Sequence, residues 1–203
     1  MAKRGPPAVF AFDLDGTVTQ QEILPLIATE LGLKDEMSLL TRLTLEGAIP
    51  FEASFRLRCA VLRSIPISTV QEVVAAVTVD PDVEAFIRDN RERCAIVTGN
   101  LRCWVRPILD RLNCKSFTSE GRVEGDRLVD VAAVLNKGRA LGSFGPGAKR
   151  VAIGDSYNDI PMFEVADVGV AFGGTHDPVP ALVALSDYVV FEGGTLCRLL
   201  STL

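Results

Sequence analysis

A chain of 203 residues can bury one substantial core, with room for one full domain and a smaller insert. Apolar residues make up 48% of it, which excludes a disordered chain, and a net charge of −5 without a basic stripe argues for no nucleic-acid partner. It has no uncharged apolar stretch of roughly 18 residues, so no membrane partner is expected.

The opening Met1-Ala2-Lys3-Arg4 looks like the basic start of a signal peptide, but Asp13 and Asp15 break the apolar run that follows. It reads as a free N-terminus of a cytoplasmic protein. The five cysteines, Cys59, Cys94, Cys103, Cys114 and Cys197, are odd in number and form no C-x-x-C pair, so buried reduced thiols are expected.

In chain order, residues 9–12 form a short apolar run that stops at Asp13-Leu14-Asp15-Gly16-Thr17, as a buried parallel strand does when it delivers polar residues at its carboxyl end. Residues 21–78 then hold four amphipathic helix candidates and no convincing strand. Their apolar faces read Ile23, Ile27 and Leu31; Met37, Leu40 and Leu43; Phe55, Cys59 and Leu62; and Val70, Val73, Val74 and Val77. This segment is expected to be a small helical bundle inserted into a core made of residues 1–20 and 79–203.

Asp80-Pro81 marks a helix start, and residues 94–97 form a second strand ending in Thr98-Gly99-Asn100. Leu101, Trp104, Val105, Ile108 and Leu112 share the face of the next helix, and residues 117–131 read as a hairpin or flap. Lys137 opens another helix, and residues 151–153 are a strand ending in Gly154-Asp155-Ser156. Residues 168–172 and 188–191 supply two further strands, each reached through a helix. Alternation of this kind predicts an α/β fold: a Rossmann-like parallel sheet with helices on both faces.

In such sheets ligands bind outside the carboxyl ends of the strands, which should gather Asp13, Asp15, Thr98 and Asp155 in one crevice. Crowded carboxylates repel unless a hard cation or a proton intervenes, and oxygen donors beside a phosphate favour Mg²⁺. A strictly extended chain would point Asp13 and Asp15 to opposite faces, so the Gly16 turn must begin early enough to bring Asp15 round. With both in place, Asp13 can attack phosphorus while Asp15 protonates the leaving oxygen and later takes a proton from water. Lys137 and Thr98 would offset charge on the phosphoryl oxygens.

Asp13-Leu14-Asp15-Gly16-Thr17, the strand-terminal Thr98, Lys137 and Gly154-Asp155-Ser156-Tyr157-Asn158-Asp159 together resemble, in order and strand context, the four motifs of the haloacid dehalogenase superfamily. The resemblance spans nearly the whole chain. Within it, a helical cap inserted straight after the first motif is similar to that of the phosphoserine phosphatase branch. The resemblance implies a Mg²⁺-dependent phosphomonoesterase working through a phospho-aspartate on a small phosphorylated metabolite, phosphoserine or similar, as a monomer or homodimer.

It further implies Mg²⁺ on Asp13, the Asp15 backbone carbonyl and Asp155, with Asp159 supporting that shell and Lys137. Glu22 and Arg58 would bind the substrate's amino and carboxylate groups, Phe51 would pack on it, and Asn158 would approach the phosphate, with Gly99 and Asn100 lining the same pocket. The second motif departs from the Ser-Gly-Gly usual in that branch: Thr98 keeps the hydroxyl, whereas Asn100 fills space where a glycine would let substrate approach. The first motif carries Gly16 where that branch often has Ser.

Two rival functions share parts of this pattern. One is phosphotransfer from the same aspartyl ester to an alcohol such as homoserine; the other is a receiver-like module that keeps the acidic pocket without turnover. Asp15, the 154–159 motif and the inserted helices favour an enzyme. Asp13 and Asp155 as plain helix caps, Lys137 as a solvated helix start, and Glu22 and Arg58 as a surface pair are the structural alternatives. His176, the one histidine, is left without a role because Asp15 already serves as acid and base, and Trp104 is assigned to the core.

Overall fold

The computed structural model describes residues 7–145 and 147–203; the N-terminus read above as free lies outside them. Strands β1 (Ala8–Phe12), β2 (Cys94–Leu101), β3 (Lys115–Glu124), β4 (Arg127–Ala133), β5 (Lys149–Gly154), β6 (Val168–Phe172) and β7 (Tyr188–Val190) form one sheet in the order β4-β3-β2-β1-β5-β6-β7. Every pairing is parallel except that of β3 with β4, the hairpin expected from the sequence. Phe10 and Phe12 enter one apolar cluster and Ala11 the other, because alternate strand residues face opposite sides of the sheet. Strand order reverses at β1, which lies between β2 and β5, so a crevice opens beyond its carboxyl end.

Helices α1 (Ile23–Ile27), α2 (Lys34–Leu45), α3 (Phe51–Leu62) and α4 (Ile67–Ala75) follow β1. The remaining helices are α5 (Pro81–Asp89), α6 (Arg102–Leu112), α7 (Lys137–Gly142), α8 (Ile160–Phe163), α9 (Pro180–Val183) and α10 (Gly193–Leu200). Side chains of α5, α6 and α10 join the first cluster and those of α7, α8 and α9 the second, which places helices on both faces. Asp80 caps α5, accepting the amides of Asp82 and Val83 at 3.0 Å, with Pro81 behind it. Among the described residues, no helix is long and apolar enough to cross a membrane.

The passage from β1 into the four helices and the passage from α4 out to α5 meet at one point. Thr19 bridges Val79, the Gln20 amide donates to the Thr78 carbonyl, and the Asp80 amide donates to the Val18 carbonyl. Helix α4 follows Pro66 and has no side-chain cap of its own; Asp126, in the turn between β3 and β4, supplies one. Its carboxylate accepts the Ser68 amide at 2.8 Å and the Ser68 hydroxyl at 2.6 Å, and its carbonyl accepts the Ile67 amide.

Some expected helix faces are corrected. Leu31 is exposed rather than buried, because α1 passes into a 3-10 turn at Ala28 and ends at Gly32, φ +66°, which rotates Leu31 outward. Helix α2 buries Met37, Thr41 and Thr44 instead of Leu40 and Leu43, since its inward face meets a polar cavity. Strand β7 stops at Val190, leaving Phe191 exposed, and Cys103, Cys114 and Cys197 are only half-buried.

Candidate active site

Strand β1 ends at Phe12, and the turn that starts at Leu14 carries Gly16 at φ +73°. Because the chain leaves the strand conformation before Asp15, strict alternation is broken and Asp13 and Asp15 line the same cavity; the left-handed Gly16 then turns the chain that follows. A Cβ at Gly16 would run into an oxygen of Asp155, so glycine is also needed for the close approach of β1 and β5.

Beneath that cavity Lys137 is buried between two carboxylates. Its ammonium donates to Asp13 Oδ1 at 2.5 Å and to Asp159 Oδ1 at 2.6 Å. Burial disfavours its charge, but the two carboxylates overcome that and raise its pKa. Asp159 Oδ2 accepts the amides of Asp155 and Ser156, so Asp159 is fully used in fixing Lys137 and the loop after β5.

Asp15 is held separately. Its Oδ1 accepts the Ile23 amide at the start of α1 at 2.9 Å, and its Oδ2 accepts a bond from Asn100 Nδ2. The Asn100 amide donates to Thr98 Oγ1 at 3.1 Å, which folds the end of β2 toward the same cavity. Asn100 therefore orients Asp15 as well as filling space.

Burial pushes Asp13 well above the usual carboxylate range; Asp159 adds to this and Lys137 opposes it. Burial also raises Asp15, against the pull of the Ile23 amide. Asp155 is pushed up to about 6, again chiefly by burial. Both of its oxygens are buried and accept no hydrogen bond among the described residues, a costly state for a carboxylate unless a cation faces it. Oxygens of Asp13, Asp155 and Asp159 lie within 4.8 Å of one another; with Asp159 engaged by Lys137 and two amides, Asp13 and Asp155 are the carboxylates that fit a hard divalent ion.

Glu22, Phe51, Arg58, Thr98, Gly99, Asn100 and Asn158 also line the cavity, whereas Lys137, Asp155 and Asp159 sit below or beside it. Arg58, on α3, is 4% exposed; its Nη1 donates to Thr41 Oγ1 at 2.9 Å and its Nε to the Ser54 carbonyl at 3.4 Å. It makes no ion pair among the described residues, and burial lowers its pKa. Glu22 Oε1 is buried without a partner, and burial, then Asp15 and Asp155, raises its carboxyl well above the ordinary value. Phe51 stacks on Phe55 with ring centroids 5.5 Å apart and lies so close to Gly99 that a Cβ there would enter its ring. Asn158 accepts a bond from the Ser156 hydroxyl.

The sequence reading missed three residues at the site. Thr41 and Thr44 line the cavity, and their signal was two threonines three apart, on one face of the helix. His176 was singled out but given no role; its Nε2 stands 3.0 Å from Asp155 Oδ2 and 3.9 Å from Glu22 Oε1.

Comparison with known proteins agrees with this geometry. The family model of haloacid dehalogenase-like hydrolases matches residues 10–164. The chain is 30% identical over 175 residues to the phosphoserine phosphatase of Methanocaldococcus jannaschii, covering 79% of this chain and 83% of that protein. It is 27% identical over 193 residues to the phosphoserine phosphatase SerB2 of Mycobacterium tuberculosis, of which it spans only 46%. A solved phospho-aspartyl intermediate analogue of a phosphoserine phosphatase superposes with a TM-score of 0.83 at 26% identity, covering 98% of this chain and 99% of that one. The chain belongs to the haloacid dehalogenase-like hydrolases and is a phosphatase of their phosphoserine phosphatase-like branch.

Proposed function

We propose that this phosphatase hydrolyses a small phosphorylated amino acid, phosphoserine or a close analogue, with Asp13 as nucleophile, Asp15 as acid and base, and Mg²⁺ as cofactor. The observation that carries the reading is the division of labour between two carboxylates on one cavity. Asp13 is tied by Lys137, whereas Asp15 is held apart by the Ile23 amide and Asn100.

An Asp13 carboxylate oxygen forms the new bond to phosphorus while the ester bond breaks and the departing alkoxide takes the Asp15 proton. Burial raises Asp15 toward a value at which it can carry that proton. Asp15 then removes a proton from water, whose oxygen attacks phosphorus and frees Asp13 and inorganic phosphate. Lys137, Thr98 and Asn158 offset charge on the phosphoryl oxygens. Bound Mg²⁺, held by Asp13, the Asp15 carbonyl and Asp155, would supply the positive charge that lets these buried carboxylates ionise beside a phosphate.

Arg58 is the feature that points to the substrate, since a buried guanidinium lacking an anionic partner suits a carboxylate, and Glu22 suits an ammonium. Residues 21–78 serve as a cap over a core of residues 1–20 and 79–203, hinged where Thr19 meets Val79. The five free thiols suit a cytoplasmic protein, working as a monomer or homodimer.

The test is phosphate release from phosphoserine with Mg²⁺. Turnover that vanishes in Asp13→Asn supports the reading. Phosphate release unchanged by Asp13→Asn, or phosphohomoserine formed in preference to phosphate when homoserine is added, overturns it.

A further inference from the structure

We propose that His176 is a nitrogen ligand to the divalent cation held at Asp155, and that it turns the site toward borderline first-row ions such as Co²⁺ and Zn²⁺ relative to Mg²⁺. The inference rests on the metal-dependent reading above and adds a donor to it.

The imidazole is fixed by its own loop. Nδ1 lies 3.0 Å from the Asp177 carbonyl, which only accepts, so Nδ1 carries a hydrogen and Nε2 is the atom turned to Asp155. Asp155 raises the imidazole pKa to about 9, so Nε2 holds a second proton in the metal-free protein and offers its lone pair once a cation displaces that proton. Nε2 stands 3.0 Å from Asp155 Oδ2. At this distance the pair takes a proton or a metal cation between or beside it, and a bound cation replaces the proton. The loop is pinned where it matters, because the Val179 amide donates to the Asp155 carbonyl at 2.9 Å.

Unpartnered buried atoms converge at this point. Asp155 is 1% exposed, and both its oxygens, Glu22 Oε1 and His176 Nε2 are buried without a hydrogen bond. Donor atoms of Glu22, Asp155 and His176 lie within 4.8 Å of one another, the span of one coordination sphere. Asp159 does not compete for this position, since its oxygens are taken by Lys137 and two amides.

Gly16 leaves the approach open: a Cβ there would meet Asp155 Oδ2 and stand 3.4 Å from His176 Nε2. The other ring nitrogen is oriented by a backbone carbonyl, as is usual for metal-bound histidine. An imidazole in place of an oxygen donor favours later first-row ions over Mg²⁺, which prefers oxygen.

The experiment uses the full untagged chain, in which His176 is the only histidine. Mn²⁺ serves as the paramagnetic probe, and electron spin-echo modulation should show a directly bound ¹⁴N. Labelling the protein with ¹⁵N-histidine should replace that signal with ¹⁵N, which needs no variant and carries no risk to folding. In calorimetry, His176→Gln should lower Co²⁺ affinity by at least the roughly tenfold that loss of even an outer-shell partner costs, with Mg²⁺ affinity changed less than about threefold.

Bound Mn²⁺ without nitrogen modulation, or equal losses for Co²⁺ and Mg²⁺, overturns the proposal. Mg²⁺-supported phosphate release by the wild-type chain is read separately, so failure of the nitrogen ligand is distinct from failure of the phosphatase reading.

Discussion

Asn100 Nδ2 donates to Asp15 Oδ2 while the Ile23 amide donates to Asp15 Oδ1, so the carboxylate is gripped from the end of β2 on one side and from the start of α1 on the other. Asn100→Ala frees one oxygen and lets the carboxyl rotate. We expect kcat to fall roughly tenfold to a hundredfold, with KM changed less than about threefold, because the loss is in proton transfer rather than binding. Steady-state kinetics on phosphoserine check this, and an unchanged kcat would remove Asn100 from the catalytic machinery.

Arg58 is expected to discriminate among substrates. Arg58→Ala should lower kcat/KM for phosphoserine roughly a hundredfold, the order expected for a charged hydrogen bond in a buried site. An aryl phosphate without a carboxylate should change less than about threefold. Equal losses on both substrates would mean that Arg58 supports the helices through Thr41 and Ser54 rather than binding a ligand.

Lys137 holds two buried carboxylates together, so Lys137→Met should cost stability as well as activity. Removing one partner of a buried charge group costs about 3–5 kcal/mol, and here Asp13 and Asp159 both lose their cation. Urea denaturation of the metal-free protein measures this. A variant as stable as wild type would show that the ammonium contributes only to chemistry.

Asp155 sets a pH dependence on metal-induced stability. Its folded value of about 6 lies above the ordinary 3.8, so the folded state binds the proton more tightly than the unfolded chain. The stability this gives is present below pH 3.8 and lost as pH rises through 6. A cation relieves the bare carboxylate only where it is ionised. Saturating Mg²⁺ should therefore raise Tm by about 3 °C or more at pH 7.5 and by under about 1 °C at pH 5. A shift of the same size at both values, read by scanning fluorimetry after chelation and back-titration, would contradict this.

The cysteines should be inert. Burial pushes Cys59 and Cys94 up to about 12 and Cys103, Cys114 and Cys197 up to about 11. At pH 8 about 0.1% or less of any thiol is ionised, so alkylation of the native protein should run at least about a hundredfold slower than that of a free peptide thiol. Iodoacetamide followed by mass spectrometry tests this, and rapid labelling of any one of the five would show local opening.

Two strand ends were legible because a central parallel strand must be apolar on both faces and cannot hide a carboxylate, so Asp13 and Asp155 follow the ends of β1 and β5 in plain view. Thr98 marks a break instead: β2 runs on to Leu101, and its pairing with β3 is interrupted between Val97 and Leu101. Lys137 was legible through its place before a helix. The inward face of α2 was not, because periodicity rewards apolar residues, while this helix turns Thr41 and Thr44 toward a polar cavity. His176 and the Asn100–Asp15 bond were hidden for another reason. Each joins residues far apart in the chain, His176 to Asp155 across loops and Asn100 in β2 to Asp15 in the turn after β1, and local pattern carries neither.

The Asp126 carboxylate that finishes the first turn of α4 has a consequence for modularity. Helix α4 begins in one part of the molecule and is terminated electrostatically by another, so residues 21–78 are not a self-sufficient cassette. Grafted onto a core without this hairpin, they would present bare amides at Ile67 and Ser68, and the first turn would unwind toward water. Helix α4 and the hairpin form a matched pair, and exchange of residues 21–78 between related proteins would have to carry both.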